Sequence, residues 1–252
     1  MSRIPWYYIW SEKYELFHTT FQDITSRIFP KLREQFAIRP LYIEQHEFSN
    51  KLSKNPQIHP FAGCNLKIDA LINCIEANMG KHFLFTDIDI IVRQSTVKEM
   101  LDPFKDHDMV FMTEDTNSKD INIGFCYIKG SKETLDFWKT VQRRVKQEGG
   151  HDQDIANQLL KTCSHLKSGL FSPIDIISQK TCTADTNFKI IQILSSGGNS
   201  AHWQFIEKLY TIPMFIIMTP YKYLVSEQDD KDVEAFSALV KGDSERHEQK
   251  KR

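Results

Sequence analysis

The chain has 252 residues, long enough to bury a substantial core, as one large α/β domain or two small ones, of which one domain is expected. Its 32 Lys and Arg against 33 Asp and Glu leave a net charge of −1, which excludes a global pull toward nucleic acid or an anionic membrane. The five cysteines are odd in number, widely spaced and free of any CxxC, which argues against a disulfide framework and a zinc site and fits a reducing, cytoplasmic setting.

Short β-rich runs alternate with longer amphipathic runs, the pattern of a layered α/β domain. "WYYIW" (6–10) reads as the first strand. Residues 11–36 read as mostly helical, with Ser11 as N-cap and a break at Pro30. "RPLYIEQHEF" predicts a second strand. After a polar loop holding Pro56 and Pro60, a helix over about 63–79 sets Cys64, Ile68, Leu71, Ile72, Ile75 and Met79 on one face, and Gly80 stops it. The apolar strand "HFLFTDID" follows, then a short helix ending near Pro103, then strands at "DMVFMTED" and "INIGFCYIKG".

From Ser131 to about Gln147 a helix places Leu135, Trp138, Val141 and Val145 on one face and ends at Gly149 and Gly150. "HDQDIANQLLKT" begins polar and continues helical. The last third holds a strand-like "FKIIQIL", a glycine-bearing turn "SSGGNSAHW" and an aromatic-rich helix. The folded domain is expected over residues 1–225, and the charged stretch 226–252, ending "SERHEQKKR", as a flexible tail. No segment approaches the ~20 apolar residues that cross a bilayer and no signal-peptide core opens the chain, so a soluble protein without a membrane span is expected.

Asp87 and Asp89 close an otherwise apolar strand. In an open α/β sheet, the carboxyl ends of the strands are where ligands bind. One residue apart on an extended strand, both side chains would face one side, with Ile88 turned to the core. Two carboxylates so placed repel unless a cation or hydrogen bonds compensate. A Mn²⁺ or Mg²⁺ ion also ligated by diphosphate oxygens is one compensation, and capping of neighbouring backbone amides at an exposed strand end is the other.

Further along, Asn122-Ile123-Gly124 opens the next apolar strand and Asp152-Gln153 opens a helix. In order and spacing, from about Cys64 to Gln158, the chain resembles the nucleotide-diphospho-sugar transferases, glycosyltransferases with a Rossmann-like A-type fold and a metal-binding DxD. It is also similar to glycosyltransferases encoded by some large DNA viruses. The resemblance implies a single α/β domain with a mixed, mainly parallel sheet flanked by helices. The implied activity is metal-dependent transfer from a nucleoside-diphosphate sugar, with a UDP-sugar as donor, to a glycan or glycoprotein acceptor in the cytoplasm, including that of a virus-infected cell.

It further implies roles for individual residues. Asp89 would ligate the ion and Asp87 would contact ribose or metal. His202 would be the third ligand. Lys67 would reach the diphosphate or hold the second acidic residue, and Trp10, Ser11 and Tyr14 would cradle the base. Asn122 would bond sugar hydroxyls, and Gly124 would admit the sugar close to the backbone. Asp152 would bind the sugar or act as base on the acceptor, with Gln153 lining the reacting face. Asp152 and Asp154 serve equally as helix caps, and His151 is adjacent to the match but outside it.

Two other readings remain. A haloacid-dehalogenase-like phosphohydrolase also uses a strand ending in DxD, but it wants Thr or Val where this chain has Ile91. A non-catalytic carbohydrate-binding protein would lack the metal-coupled nucleotide site.

Overall fold

A computed structural model describes residues 2–43, 62–92, 94–113, 119–173, 175–178 and 189–192. These belong to one compact unit, Met1–Gln192. The polar loop with Pro56 and Pro60, the turn and helix of the last third, His202, and the boundary and tail around 225 and 226–252 lie outside the described residues.

The first aromatic run becomes β1 (Ile4–Trp10), which begins two residues before Trp6. Its side chains alternate: Trp6 meets Phe21, Phe36 and Phe125 on one face of the sheet, and Tyr7 meets Phe83 on the other. Ser11 precedes a 3₁₀ turn, Glu12–Tyr14, and its side chain makes no capping hydrogen bond there. Next come α1 (Glu15–Asp23), a π-turn (Ile24–Ile28) and, after Phe29 and Pro30, α2 (Lys31–Gln35). Proline fits at the start of α2, where no intrahelical N–H is needed. β2 (Phe36–Tyr42) follows without a loop, three residues earlier than "RPLYIEQHEF" suggests.

α3 (Ala62–Ala77) buries Ile68, Leu71, Ile72 and Ile75, as their spacing requires. Met79, expected on that face, lies past the helix end and is 49 % exposed. Gly80, at φ 76°, takes the left-handed turn that ends the helix. β3 (His82–Asp87) comes next, then β4 (Ile90–Val92), α4 (Val97–Leu101), β5 (Met109–Thr113) and β6 (Ile121–Lys129).

α5 (Lys132–Glu148) opens on a capping box. Ser131 Oγ accepts from Thr134 N at 3.2 Å, and Thr134 Oγ1 accepts from Ser131 N at 3.0 Å. α6 (Asp152–Leu160), β7 (Ser168–Leu170), β8 (Ile176–Ser178) and β9 (Ile190–Gln192) complete the order.

The main sheet has six strands in the order β2-β1-β3-β6-β5-β7. All run one way except β6, which is antiparallel to both β3 and β5. A second sheet joins β4, β9 and β8. One face of the main sheet carries α3, α5 and α6 through a core that includes Ile68, Leu71, Phe83, Phe111, Trp138 and Ile155. Each such side chain contributes about 1.5–3 kcal/mol by leaving water. The architecture is thus mixed α/β with a mainly parallel sheet, as expected.

Candidate active site at the carboxyl edge of the sheet

The β3 ladder stops at Asp87 and the chain bends at Ile88, so Asp87 and Asp89 do not share one extended strand as the ideal geometry suggests. The cause is topological. β4 departs to pair with β9, and Ile90 stands opposite Gln192 there. Asp87 therefore ends the main sheet with its side chain 27 % exposed, while Asp89 turns inward and is 6 % exposed. Ile88 is buried, as expected.

Strand alternation sends Asp87 to the same face as Phe83 and Phe85, the face covered by α3. There Lys67 Nζ lies 2.7 Å from Asp87 Oδ1. Lys67 thus holds the first carboxylate of the pair. Burial pulls the Lys67 ammonium down, but the charges of Asp87 and then Asp152 outweigh it and hold it above the usual lysine range. The thiol of Cys126, also on this face, is pushed up by burial.

Asp152 is buried at the first position of α6, behind the N-cap residue His151. Its Oδ1 accepts from Gln153 N at 2.9 Å and lies 3.7 Å from His151 Nδ1. The charge of Asp152 acts on Lys67, the lysine of the strand-ending pair, whereas Asp154 is exposed.

β6 delivers Asn122 and Gly124 to this edge from the opposite direction. Asp87 and Gly124 adjoin the last paired positions of β3 and β6, Thr86 and Phe125. Against β5 the register jumps from Phe111–Cys126 to Met112–Asn122, a bulge that skips Ile123, Gly124 and Phe125. Side chains bond amides in and beside the bulge. Asn122 Oδ1 accepts from Gly124 N at 2.7 Å, Gln153 Oε1 from Ile123 N at 3.3 Å and Asn157 Oδ1 from Ile121 N at 2.8 Å. Gln153 and Asn157, one helical turn apart, pin α6 to the bulge. Neither Asn157 nor the bulge was foreseen; "DQDIAN" carries the i, i+4 spacing that marks them.

A Cβ at Gly124 would overlap the side-chain amide of Gln192. Gln192 is 2 % exposed, and no sequence motif singles it out.

Trp10 and Ser11 end β1 beside β3, where Ile9 pairs with Asp87. The Trp10 ring stacks on His18 at 3.9 Å and meets Tyr42 edge-on at 5.0 Å, so packing already uses much of its surface. His18 in turn joins Tyr8 through Nδ1 at 3.0 Å, and burial pushes the Tyr8 hydroxyl up to about 12. Tyr14 packs on Phe17.

Lys67, Asp87, Asp152, Gln153, Asn122 and Gly124 thus meet at one edge of the sheet, with Asp89 one bend away; His202 is outside the described residues. This architecture is that of A-type glycosyltransferases. It superposes on galactosyltransferase LgtC, solved with donor and acceptor sugar analogues, at TM-score 0.52 and 14 % identity over 89 % of this chain and 98 % of that one. A glycosyltransferase involved in glycosylating the major capsid of the virus PBCV-1 gives TM-score 0.51 at 12 % identity, over 82 % of this chain and 98 % of that chain. The bifunctional glycosyltransferase WbbM gives 0.54 at 12 % identity, over 84 % of this chain and 50 % of WbbM.

The chain belongs to the nucleotide-diphospho-sugar transferase family, whose model matches residues 68–251. It is a glycosyltransferase, and the phosphohydrolase and non-catalytic readings are set aside. No curated protein sequence matches the chain significantly. No helix among the described residues is long and apolar enough to cross a membrane.

Proposed function

We propose that the chain transfers a sugar from a UDP-sugar to a hydroxyl of a glycan or glycoprotein, with the donor diphosphate at the carboxyl ends of β1 and β3. The observation that carries this reading is the Lys67–Asp87 ion pair in the field of Asp152, which joins motifs from three separate stretches of sequence.

Asp87 and Asp89 offer hard carboxylate oxygens, the donor type that Mn²⁺ and Mg²⁺ take, often with substrate phosphates filling other positions. Two carboxylates leave coordination positions that diphosphate oxygens would fill. His202 is the proposed third protein ligand. When bound, the ion supplies charge neutralisation on the diphosphate leaving group.

The chain's own residues do the remaining work. Lys67 fixes Asp87 and keeps positive charge beside two carboxylates. Asp152 receives the proton of the attacking hydroxyl. Gln153 and Asn122 hold the β6 bulge open beneath the sugar. Trp10 and Ser11 border the base. Free thiols at Cys74, Cys126 and Cys163 support a cytoplasmic setting.

The test is turnover of a panel of nucleotide sugars with Mn²⁺, followed by NMR of the product anomer. We expect one UDP-sugar to be consumed well ahead of its analogues with other bases. No turnover of any nucleotide sugar would overturn the reading, and the anomer distinguishes retention from inversion.

A further inference from the structure

The amide of Gln192 sits against the backbone of Gly124 and is almost wholly buried, 2 % exposed. It is delivered there by β9, where Gln192 stands opposite Ile90, the residue after Asp89. Its Oε1 is buried and accepts no hydrogen bond from the described residues. A leucine or methionine would fill the same volume without stranding an acceptor. A polar group kept in such a place calls for a partner that is not part of the fold. The amide lies against Gly124, in the β6 bulge next to the position where Thr86 and Phe125 end the β3–β6 ladder, so the partner is sought in the candidate site.

We propose that Gln192 reads one hydroxyl of the donor sugar, and that Gly124 is glycine because this amide takes the place of its side chain. Gln192 is then a specificity-determining residue; this rests on the nucleotide-sugar reading of the site. A sugar hydroxyl both donates and accepts, so it satisfies the amide in either orientation. The two residues act as one device. A methyl group at position 124 would push the amide off its seat, so Gly124→Ala and Gln192→Leu must produce the same defect without adding to each other.

The probes are UDP-glucose, UDP-galactose and their singly deoxygenated analogues, with UDP alone as a control for the diphosphate site. In the wild type, removal of one particular hydroxyl should lower kcat/KM by about 10-fold or more, as in sites built to bond a substrate hydroxyl. Gln192→Leu should lose a similar factor on the parent sugar and show no further penalty for that deoxy analogue, while UDP affinity stays at the wild-type value. Gly124→Ala should copy it. Should Gln192→Leu not fold, Gln192→Asn withdraws the amide by one methylene and is read the same way. The proposal is overturned if the variants rank the deoxy analogues as the wild type does, or if UDP affinity falls with turnover. A wild type that turns over no nucleotide sugar overturns the donor-site reading itself, and this inference with it.

Discussion

Replacing Lys67 by methionine removes an ammonium while keeping most of the side-chain volume, and takes away the cation that pairs with Asp87 and lies in the field of Asp152. Removing one partner of a fully buried ion pair costs about 3–5 kcal/mol, because the other charge is stranded. Here the lysine side chain is 14 % exposed and that of Asp87 27 %, so water screens part of the loss. The expected destabilisation is ~2–3 kcal/mol, a fall of roughly 4–12 °C in melting temperature for a chain of this size.

The pH dependence carries a definite sign. The deficit is fully expressed at neutral pH, where the wild-type lysine is charged. In the wild type the raised lysine stabilises fully below its ordinary value of 10.5, and that stability is lost as pH rises through its folded value. The difference between variant and wild type should therefore shrink as pH rises past the ordinary lysine value. Urea unfolding from mildly acidic to alkaline pH measures this, and adding Asp87→Asn to Lys67→Met should recover part of the loss. A neutral-pH difference below about 0.5 kcal/mol would refute the reasoning, as would a deficit that grows at alkaline pH.

Three further outcomes follow from the same geometry. Asp152→Asn should lower kcat by about 10²–10⁴-fold with little change in nucleotide affinity, since the proposed proton transfer comes after the diphosphate is bound; wild-type turnover in that variant would remove the assignment. Chelation should abolish transfer and Mn²⁺ should restore it, so full activity in chelator-treated protein would contradict metal dependence. Gly130→Ala should destabilise by about 1–3 kcal/mol in denaturant unfolding, because the new methyl would overlap the Asn78 carbonyl and lie 2.9 Å from that of Ile75, both unyielding backbone; unchanged stability would show that this close approach relaxes freely.

What the sequence shows of this protein divides along physical lines. Local features are legible: the periodic apolar faces of α3 and α5, the stops at Gly80 and Gly149, and the apolar run of β3 depend on residues within one element. Features set by the partner strand are not. The bend after Asp87 exists because β4 leaves for another sheet, and no residue between 87 and 90 announces it. The reversal of β6 is likewise a matter of which neighbours it joins. For the candidate site, Lys67, Asp87, Asp152, Asn122 and Gly124 are visible as motif positions, and the structure brings them together. That Lys67 holds the first aspartate, and that Gly124 makes room for an amide from β9, depends on contacts between residues far apart in the chain. Gln192 offered no motif of its own; its signal is burial without a partner, which only coordinates reveal.

The central claim is that the strand-ending aspartates bind a nucleoside diphosphate together with a divalent ion. Thermal unfolding with UDP and Mn²⁺, added singly and together, tests it most directly in the wild type and in Asp89→Asn. Joint stabilisation in the wild type should exceed the sum of the separate effects, reaching about 2.7 kcal/mol at a hundredfold excess over Kd, and should be lost in Asp89→Asn with the ligand-free melting curve still cooperative. An equal joint shift in the two proteins, or none in the wild type, would contradict it.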